Sequence, residues 1–118
     1  MIIRKEKTAG ITEINKQFQQ SGIDFFFTSG ELLHYKNQKN NNSLAVRLLA
    51  KQIIIEHFEM NDCFQDITIL NDEFGKPFPE FTGELAKKIE IERDLKFIHI
   101  SLSHSRNYVA VFIIFEYF

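Results

Sequence analysis

The 118-residue sequence has no tryptophan, one cysteine and two prolines. A lone cysteine, Cys63, excludes an internal disulfide and any cysteine-rich zinc site, and it reads as a small apolar residue. Two prolines, Pro77 and Pro79, fall in one stretch and forbid continuous ladder bonding there. No apolar run reaches bilayer-spanning length and no secretory leader precedes the first charge at Arg4. A cytoplasmic location with no membrane partner is therefore the expectation. Excess positive charge is missing as well: the formal net charge is −2, which argues against a nucleic-acid partner. There is no internal repeat. What the chain has in abundance is phenylalanine, 13 residues, which speaks of packing and apolar interfaces more than of chemistry. Its length predicts a single domain over residues 1–118, large enough for a real core. Charge is uneven, with +2 over residues 1–60 and −4 over the remainder, so an anion-seeking surface is expected in the first half.

The chain is organised around Ser43 to Phe58, SLAVRLLAKQIIIEHF. It has helical length and Leu/Ala content, although Ile53-Ile54-Ile55 alone would suggest a strand. Ser43 is the expected N-cap. At roughly 100° per residue the apolar side chains point nearly all round, and such a helix is buried. Arg47, Lys51, Gln52 and Glu56 are then the informative residues, because buried charge is costly unless paired or engaged by a ligand. Two readings stand: an internal salt-bridge set, or a site for a charged ligand.

Elsewhere the pattern predicts a short strand at Met1–Ile3 and a helix carrying Ile11, Ile14 and Phe18, capped by Thr12 and ended by Ser21-Gly22. Phe25-Phe26-Phe27 reads as a buried extended piece. Thr28-Ser29-Gly30-Glu31 reads as a capping box opening a helix through Tyr35. A polar loop is expected over 37–42. Phe64–Leu70 and Lys76–Phe81 read as strands around the turn 71–75, the second an edge strand or a strained connection because of its prolines. Thr82 is the expected cap of a helix through Ile89. Phe97–Ser103 alternates, putting Ile98, Ile100 and Leu102 on one face and His99, Ser101 and Ser103 on the other. Tyr108–Phe118 is nearly all apolar, which suits a central strand buried on both faces or one at a subunit interface. The fold class is α+β, with an antiparallel sheet packed against a long buried helix and shorter helices.

Five collinear segments resemble holo-acyl-carrier-protein synthase, the small trimeric branch of the 4'-phosphopantetheinyl transferases. Gly10-Ile11-Thr12-Glu13-Ile14 resembles D-I-x-E-I/L. Phe27 to Leu32 is similar to I/L-L/F-S/T-x-x-E-L. Leu44 to Lys51, with Phe64-Gln65-Asp66-Ile67, is similar to F-L-A-x-R-F/W-A-A-K-E and F-x-D/E-I. Asn71-Asp72-Glu73-Phe74-Gly75-Lys76-Pro77 matches N-D-x-x-G-K-P. His99 to Ser105, then Tyr108-Val109-Ala110, is similar to H-V/I-S-I/L-S/T-H-S/T-x-x-Y-A.

The resemblance implies a 4'-phosphopantetheinyl transferase-like fold and an activity that moves the phosphopantetheine arm of coenzyme A onto a serine of an apo acyl carrier protein. It also implies service to fatty acid or polyketide biosynthesis, a homotrimer, and coenzyme A lying between neighbouring subunits. Carried over residue by residue, it puts Arg47, Lys51, Lys76, His99, Ser101, Ser103 and His104 on the coenzyme. Arginine and lysine beside hydroxyls suit phosphate groups. Docking of an acidic carrier protein would fall to Lys16 and the Arg4/Lys5/Lys7 cluster. In the family, magnesium is held by the Asp of the first motif and by the Glu after A-A-K, and a Lys one turn later helps deprotonate the acceptor serine. Here those positions hold Gly10, Gln52 and Glu56. Magnesium seeks hard, preferably anionic oxygen, so its retention is doubtful. Either Glu56, with Glu13, takes over as metal ligand or base, or the chain is a non-catalytic homologue that binds carrier protein, coenzyme A or a partner subunit.

Overall fold

The computed structural model describes residues 1–36, 38 and 40–118. Asn37 and Lys39, expected in the polar loop, lie outside the described residues. The elements run β1 (Ile2–Gly10), α1 (Ile11–Ser21), α2 (Ile23–Phe26), α3 (Ser29–Tyr35), α4 (Asn42–His57), a 3₁₀ turn (Phe64–Asp66), β2 (Ile67–Asn71), β3 (Pro77–Phe81), α5 (Gly83–Ile91), β4 (Leu95–His104) and β5 (Tyr108–Tyr117). An antiparallel sheet of order β1-β5-β4 and a two-stranded β2-β3 ribbon complete an α+β architecture.

α4 is buried on nearly every side, as its composition requires: Leu44, Leu48, Ala50 and Ile54 are inaccessible to solvent. It packs across one face of the sheet, against β1, β4 and β5. Its start differs from the expectation. Asn41 occupies the N-cap position, and Ser43 lies inside the helix with its hydroxyl donating to Gln38 Oε1 at 2.8 Å. Asn42, expected in the loop, is the first helical residue.

β1 is longer than the expected Met1–Ile3 strand. It pairs with β5 from Ile2 opposite Glu116 to Gly10 opposite Tyr108. The charged run Arg4-Lys5-Glu6-Lys7 hides its alternation, yet its burial alternates residue by residue, and the ladder satisfies its backbone. α1 begins at Ile11 with Gly10 at the cap position, so Thr12 is inside the helix. Gly22, at φ +82, ends it and donates its N–H to Phe18 O at 2.8 Å; such a conformation suits glycine. Phe25 and Phe26 form the short α2 and only Phe27 is extended, so the phenylalanine triplet is not one buried strand; Phe25 stays partly exposed.

The capping box forms as expected: Thr28 Oγ1 accepts the Glu31 N–H and Glu31 Oε1 accepts the Thr28 N–H. Phe64–Asp66 is a 3₁₀ turn, and β2 starts only at Ile67. The prolines of β3 fit their register. Pro79 stands opposite Ile69, whose N–H and C=O both turn away to side chains. That pair needs no ladder bond, so the missing proline N–H costs nothing there. At α5, Thr82 holds the cap position without a side-chain cap bond; Asp66 Oδ2 instead accepts the Leu85 N–H at 3.2 Å.

β5 is the central strand. Val109, Val111, Ile113 and Phe115 face α4 and are buried. The opposite face corrects the expectation of burial on both sides: Tyr108 is 64 % exposed and Phe112 38 % exposed. On that open face the register brings Arg4 and His99 beside Ile114, and Glu6 and Ser101 beside Phe112. No helix among the described residues is long and apolar enough to cross a membrane.

Candidate functional site

α4 positions two buried cations one turn apart, and the structure gives them different roles. Arg47 is 4 % exposed. Its Nε donates to Ile69 O at 3.0 Å, Nη1 to Ser43 O at 2.9 Å, and Nη2 to Tyr35 Oη at 3.0 Å and Asn71 Oδ1 at 3.1 Å. The guanidinium carbon also lies 3.8 Å from the centre of the Tyr35 ring. Four of its five N–H groups are therefore engaged among the described residues. Burial lowers its pKa, while Tyr35 and Glu31 work in the opposite direction. The guanidinium forms part of the wall of a cavity of about 260 Å³, lined also by Tyr35, Ser43, Asn71, Gly75 and His104. A fixed planar cation beside hydroxyl, amide and imidazole groups is suited to phosphate.

Lys51 belongs to the internal set of the two readings. It is fully buried, and its ammonium donates to Phe26 O at 2.8 Å, Glu31 Oε1 at 2.5 Å and Phe64 O at 3.0 Å. These contacts use all three of its N–H donors. None remains for a coenzyme phosphate, which corrects its placement in the ligand set. Burial lowers its pKa and Glu31 counters that effect.

The other ligand candidates divide between the two faces of β4. His104, at the strand's end, lines the Arg47 cavity. It also borders a second cavity of about 320 Å³ with Thr8, Ser103, Ser105, Tyr108 and Ala110. Lys76 is exposed on the β2–β3 turn, between Gly75 and Pro77 of the first cavity. That turn is held by Asp72 Oδ1, which accepts the Phe74 and Lys76 N–H groups at 2.9 Å each. His99, Ser101 and Ser103 share the open sheet face, as their alternation predicts. His99 Nε2 lies 3.1 Å from Glu116 Oε2, and this hydrogen bond, helped by Lys96, lowers the Glu116 pKa. Within one chain the seven residues thus do not converge.

The positions at which the resemblance would place a metal hold no carboxylate set. Gly10 has no side chain. Gln52 Nε2 donates to Gln17 Oε1 at 3.4 Å, linking α4 to α1. Glu56, with its side chain 67 % exposed, lies 3.2 Å from Lys7 Nζ. Glu13 is exposed in the first turn of α1. No group of three His, Cys, Asp or Glu side chains able to hold a metal occurs among the described residues. With Gly10 and Gln52 in place and Glu56 already matched by an ammonium, the donor chemistry does not fit magnesium. The Arg4/Lys5/Lys7 cluster also divides: Arg4 points to the open face, Lys5 and Lys7 to the α4 side.

Sequence reasoning missed Glu31 as the counter-charge of Lys51, Tyr35 and Asn71 as supports of Arg47, and Lys7 as the partner of Glu56. One signal was available for the first: a buried lysine demands a carboxylate, and Glu31 sits among apolar residues. His57 stacks on Phe115 at 3.7 Å with 8° between the rings. Its Nε2 lies 2.7 Å from Tyr117 Oη, whose proton goes to Glu92 Oε2 at 3.1 Å. Burial and then Lys5 lower the His57 pKa. Burial, with Glu92 alongside, pushes Tyr117 up to about 12. His34 Nδ1 lies 2.9 Å from Gly30 O on the surface.

No family model matches the sequence. Curated relatives do. A holo-acyl-carrier-protein synthase of Blochmanniella pennsylvanica is 36 % identical over 117 residues, covering 90 % of each chain. The enzyme of the same name from Clostridium tetani is 34 % identical over 94 residues, 76 % of this chain and 74 % of that one. Among solved structures, the apo-ACPS of Chronobacterium ammoniagenes superposes with a TM-score of 0.83 at 21 % identity, covering 99 % of this chain and 97 % of that one. The Neisseria meningitidis holo-acyl-carrier-protein synthase reaches 0.79 at 22 % identity, covering 96 % of each. The Chronobacterium ammoniagenes ACPS–CoA complex reaches 0.78 at 18 % identity, covering 100 % of this chain and 98 % of that one.

Proposed function

From the premise that this chain belongs to the holo-acyl-carrier-protein synthase family, we propose that it binds coenzyme A and transfers the phosphopantetheine arm to a serine of an apo acyl carrier protein. The observation that carries this reading is the cavity of Arg47, whose guanidinium is locked by Ile69, Ser43, Tyr35 and Asn71 while bordering open space with Gly75 and His104. Locking the fork in advance removes the ordering cost of gripping a phosphate. Lys76 adds an exposed point charge at the rim.

In the transfer, the serine oxygen bonds to the phosphorus carrying the pantetheine, the anhydride bond breaks, and 3',5'-ADP leaves with the electron pair. The serine proton goes to Glu56, an exposed carboxylate on the Gln52 side of α4. Gly10, Gln52 and the Lys7-paired Glu56 do not supply the anionic oxygens that magnesium seeks.

Subunit assembly belongs to the same reading. The open face of β1-β5-β4 exposes Ile2, Phe97, Tyr108 and Phe112, and the candidate ligands lie on both faces of β4. A homotrimer in which one subunit's Arg47 cavity meets a neighbour's edge would unite them. Lys16 remains the docking residue for an acidic carrier, in a cytoplasmic setting.

A second reading is favoured by the substitutions at Gly10, Gln52 and Glu56: a non-catalytic homologue that binds carrier protein, coenzyme A or a partner subunit. Intact-mass analysis after incubation with coenzyme A and several apo carrier proteins separates the two. Addition of the arm's mass supports transfer. Binding of carrier or coenzyme A without a mass shift supports the second reading.

A further inference from the structure

We infer that the ammonium of Lys7, rather than a divalent cation, neutralises the pyrophosphate of the bound nucleotide thiol. The inference rests on the reading above that coenzyme A is the ligand.

The fold and the donor set disagree. Gly10 has backbone angles open to any residue, φ −74 and ψ 141, and a Cβ placed there would meet nothing within 4 Å. The acidic side chain is thus not excluded by crowding. The change is one of charge, and it is repeated at Gln52. Both acidic positions have become neutral, which removes the reason for a divalent ion to bind.

A cation stands one helical turn from Gln52, held by Glu56. Lys7 projects from the α4 side of β1 and its Nζ lies 3.2 Å from Glu56 Oε1. Gln52 and Glu56 are neighbours on one side of α4, so the ammonium is held about one turn from the position of the missing carboxylate. Glu56 engages a single N–H of three, and the other two have no partner among the described residues. The Lys7 side chain is 36 % exposed, near enough to water to meet an incoming anion. As a stabilising element an ion pair this open contributes little, so the fold does not require it. Lys5 lies two residues away on the same side of β1 and adds to the local positive potential. A lysine ammonium is a compact charge that serves well against phosphate oxygens.

The test is calorimetric titration of the folded full chain with coenzyme A, in EDTA and again in magnesium. The expected result is the same dissociation constant in both. Lys7→Gln should weaken binding about tenfold, the value of one charge-assisted hydrogen bond, while Lys7→Arg stays within about twofold because the charge is kept. Dephospho-coenzyme A should show the same Lys7→Gln penalty, since it retains the pyrophosphate. Binding that requires magnesium overturns the inference and leaves the family reading standing, as does a Lys7→Gln protein that titrates like its parent. Failure of coenzyme A to bind under either condition removes the reading on which the inference rests, and the inference with it.

Discussion

Lys51 Nζ and Glu31 Oε1 face each other at 2.5 Å, and both side chains have zero solvent exposure. The carboxylate does more than pair. Oε1 also accepts the Thr28 N–H and Oε2 accepts the Ile69 N–H at 2.9 Å, so one side chain joins α3, α4 and β2. Beside it, Arg47 takes the Ile69 carbonyl. The two α-side charges thus bond the free edge of β2 as a neighbouring strand would. Their first task is structural, and only Arg47 has surface left for a ligand.

Removing either member of the Lys51–Glu31 pair should be strongly destabilising. Lys51→Met strands a buried carboxylate and should cost about 3–5 kcal/mol. Adding Glu31→Leu should recover part of that loss. Urea unfolding of the two variants checks both statements; a mild single-mutant effect would contradict the buried geometry.

Tyr35→Phe keeps the ring that lies against Arg47 and deletes the hydroxyl accepting its Nη2. The expected stability loss is about 1 kcal/mol. Coenzyme A affinity should fall as well, because a looser guanidinium loses its preorganisation. Chemical denaturation and calorimetry measure the two effects separately.

Gly83→Ala should destabilise the start of α5. Gly83 has φ +62, and a Cβ there would stand 2.6 Å from Asp66 Oδ1. The same carboxylate caps the helix through the Leu85 N–H. Strain and a displaced cap together predict a loss of about 2 kcal/mol or more, read from the midpoint of unfolding. Gly10→Ala, in open space, should be nearly silent.

Stability should fall on mild acidification through His57. Its folded pKa is lowered, by burial and then by Lys5, from the ordinary 6.5. The unfolded chain therefore binds the proton more readily than the folded one. The contribution is fully present above pH 6.5 and is lost as pH falls below that value towards the folded pKa. His57→Phe, which retains stacking on Phe115, should flatten the pH dependence of unfolding over this window.

Gly10→Asp with Gln52→Glu and Glu56→Lys should raise magnesium affinity by restoring two hard anionic donors. Calorimetry with magnesium alone reads this outcome. Unchanged affinity would show that residues 10 and 52 do not stand where the family's metal ligands do.

Much of the fold was legible in local pattern. The all-round apolar faces of α4 announced its burial, Thr28-Ser29-Gly30-Glu31 announced its capping box, and the 99–103 alternation placed His99, Ser101 and Ser103 together. These features depend on backbone periodicity and on side chains a few residues apart, and a sequence states both directly. β1 was less legible, because Arg4 to Lys7 carry charge on both faces and only the ladder to β5 makes them a strand. The candidate ligands did not form a site that the sequence could show: His104 and Arg47 share a cavity, whereas His99 faces the other way.

The sequence by itself determined that Arg47 and Lys51 lie in an apolar helix and need partners, that Gly10 and Gln52 lack negative charge, and that the whole chain follows one family pattern. Tertiary structure decided that Lys51 is spent on Glu31, that Arg47 is locked by Ile69 and Tyr35 yet borders open space, and that Glu56 is met by Lys7. The reason is that a charge's need for a partner is set by its own desolvation, while the partner's identity is set by chain segments 12 to 49 residues away that only folding brings within hydrogen-bond distance.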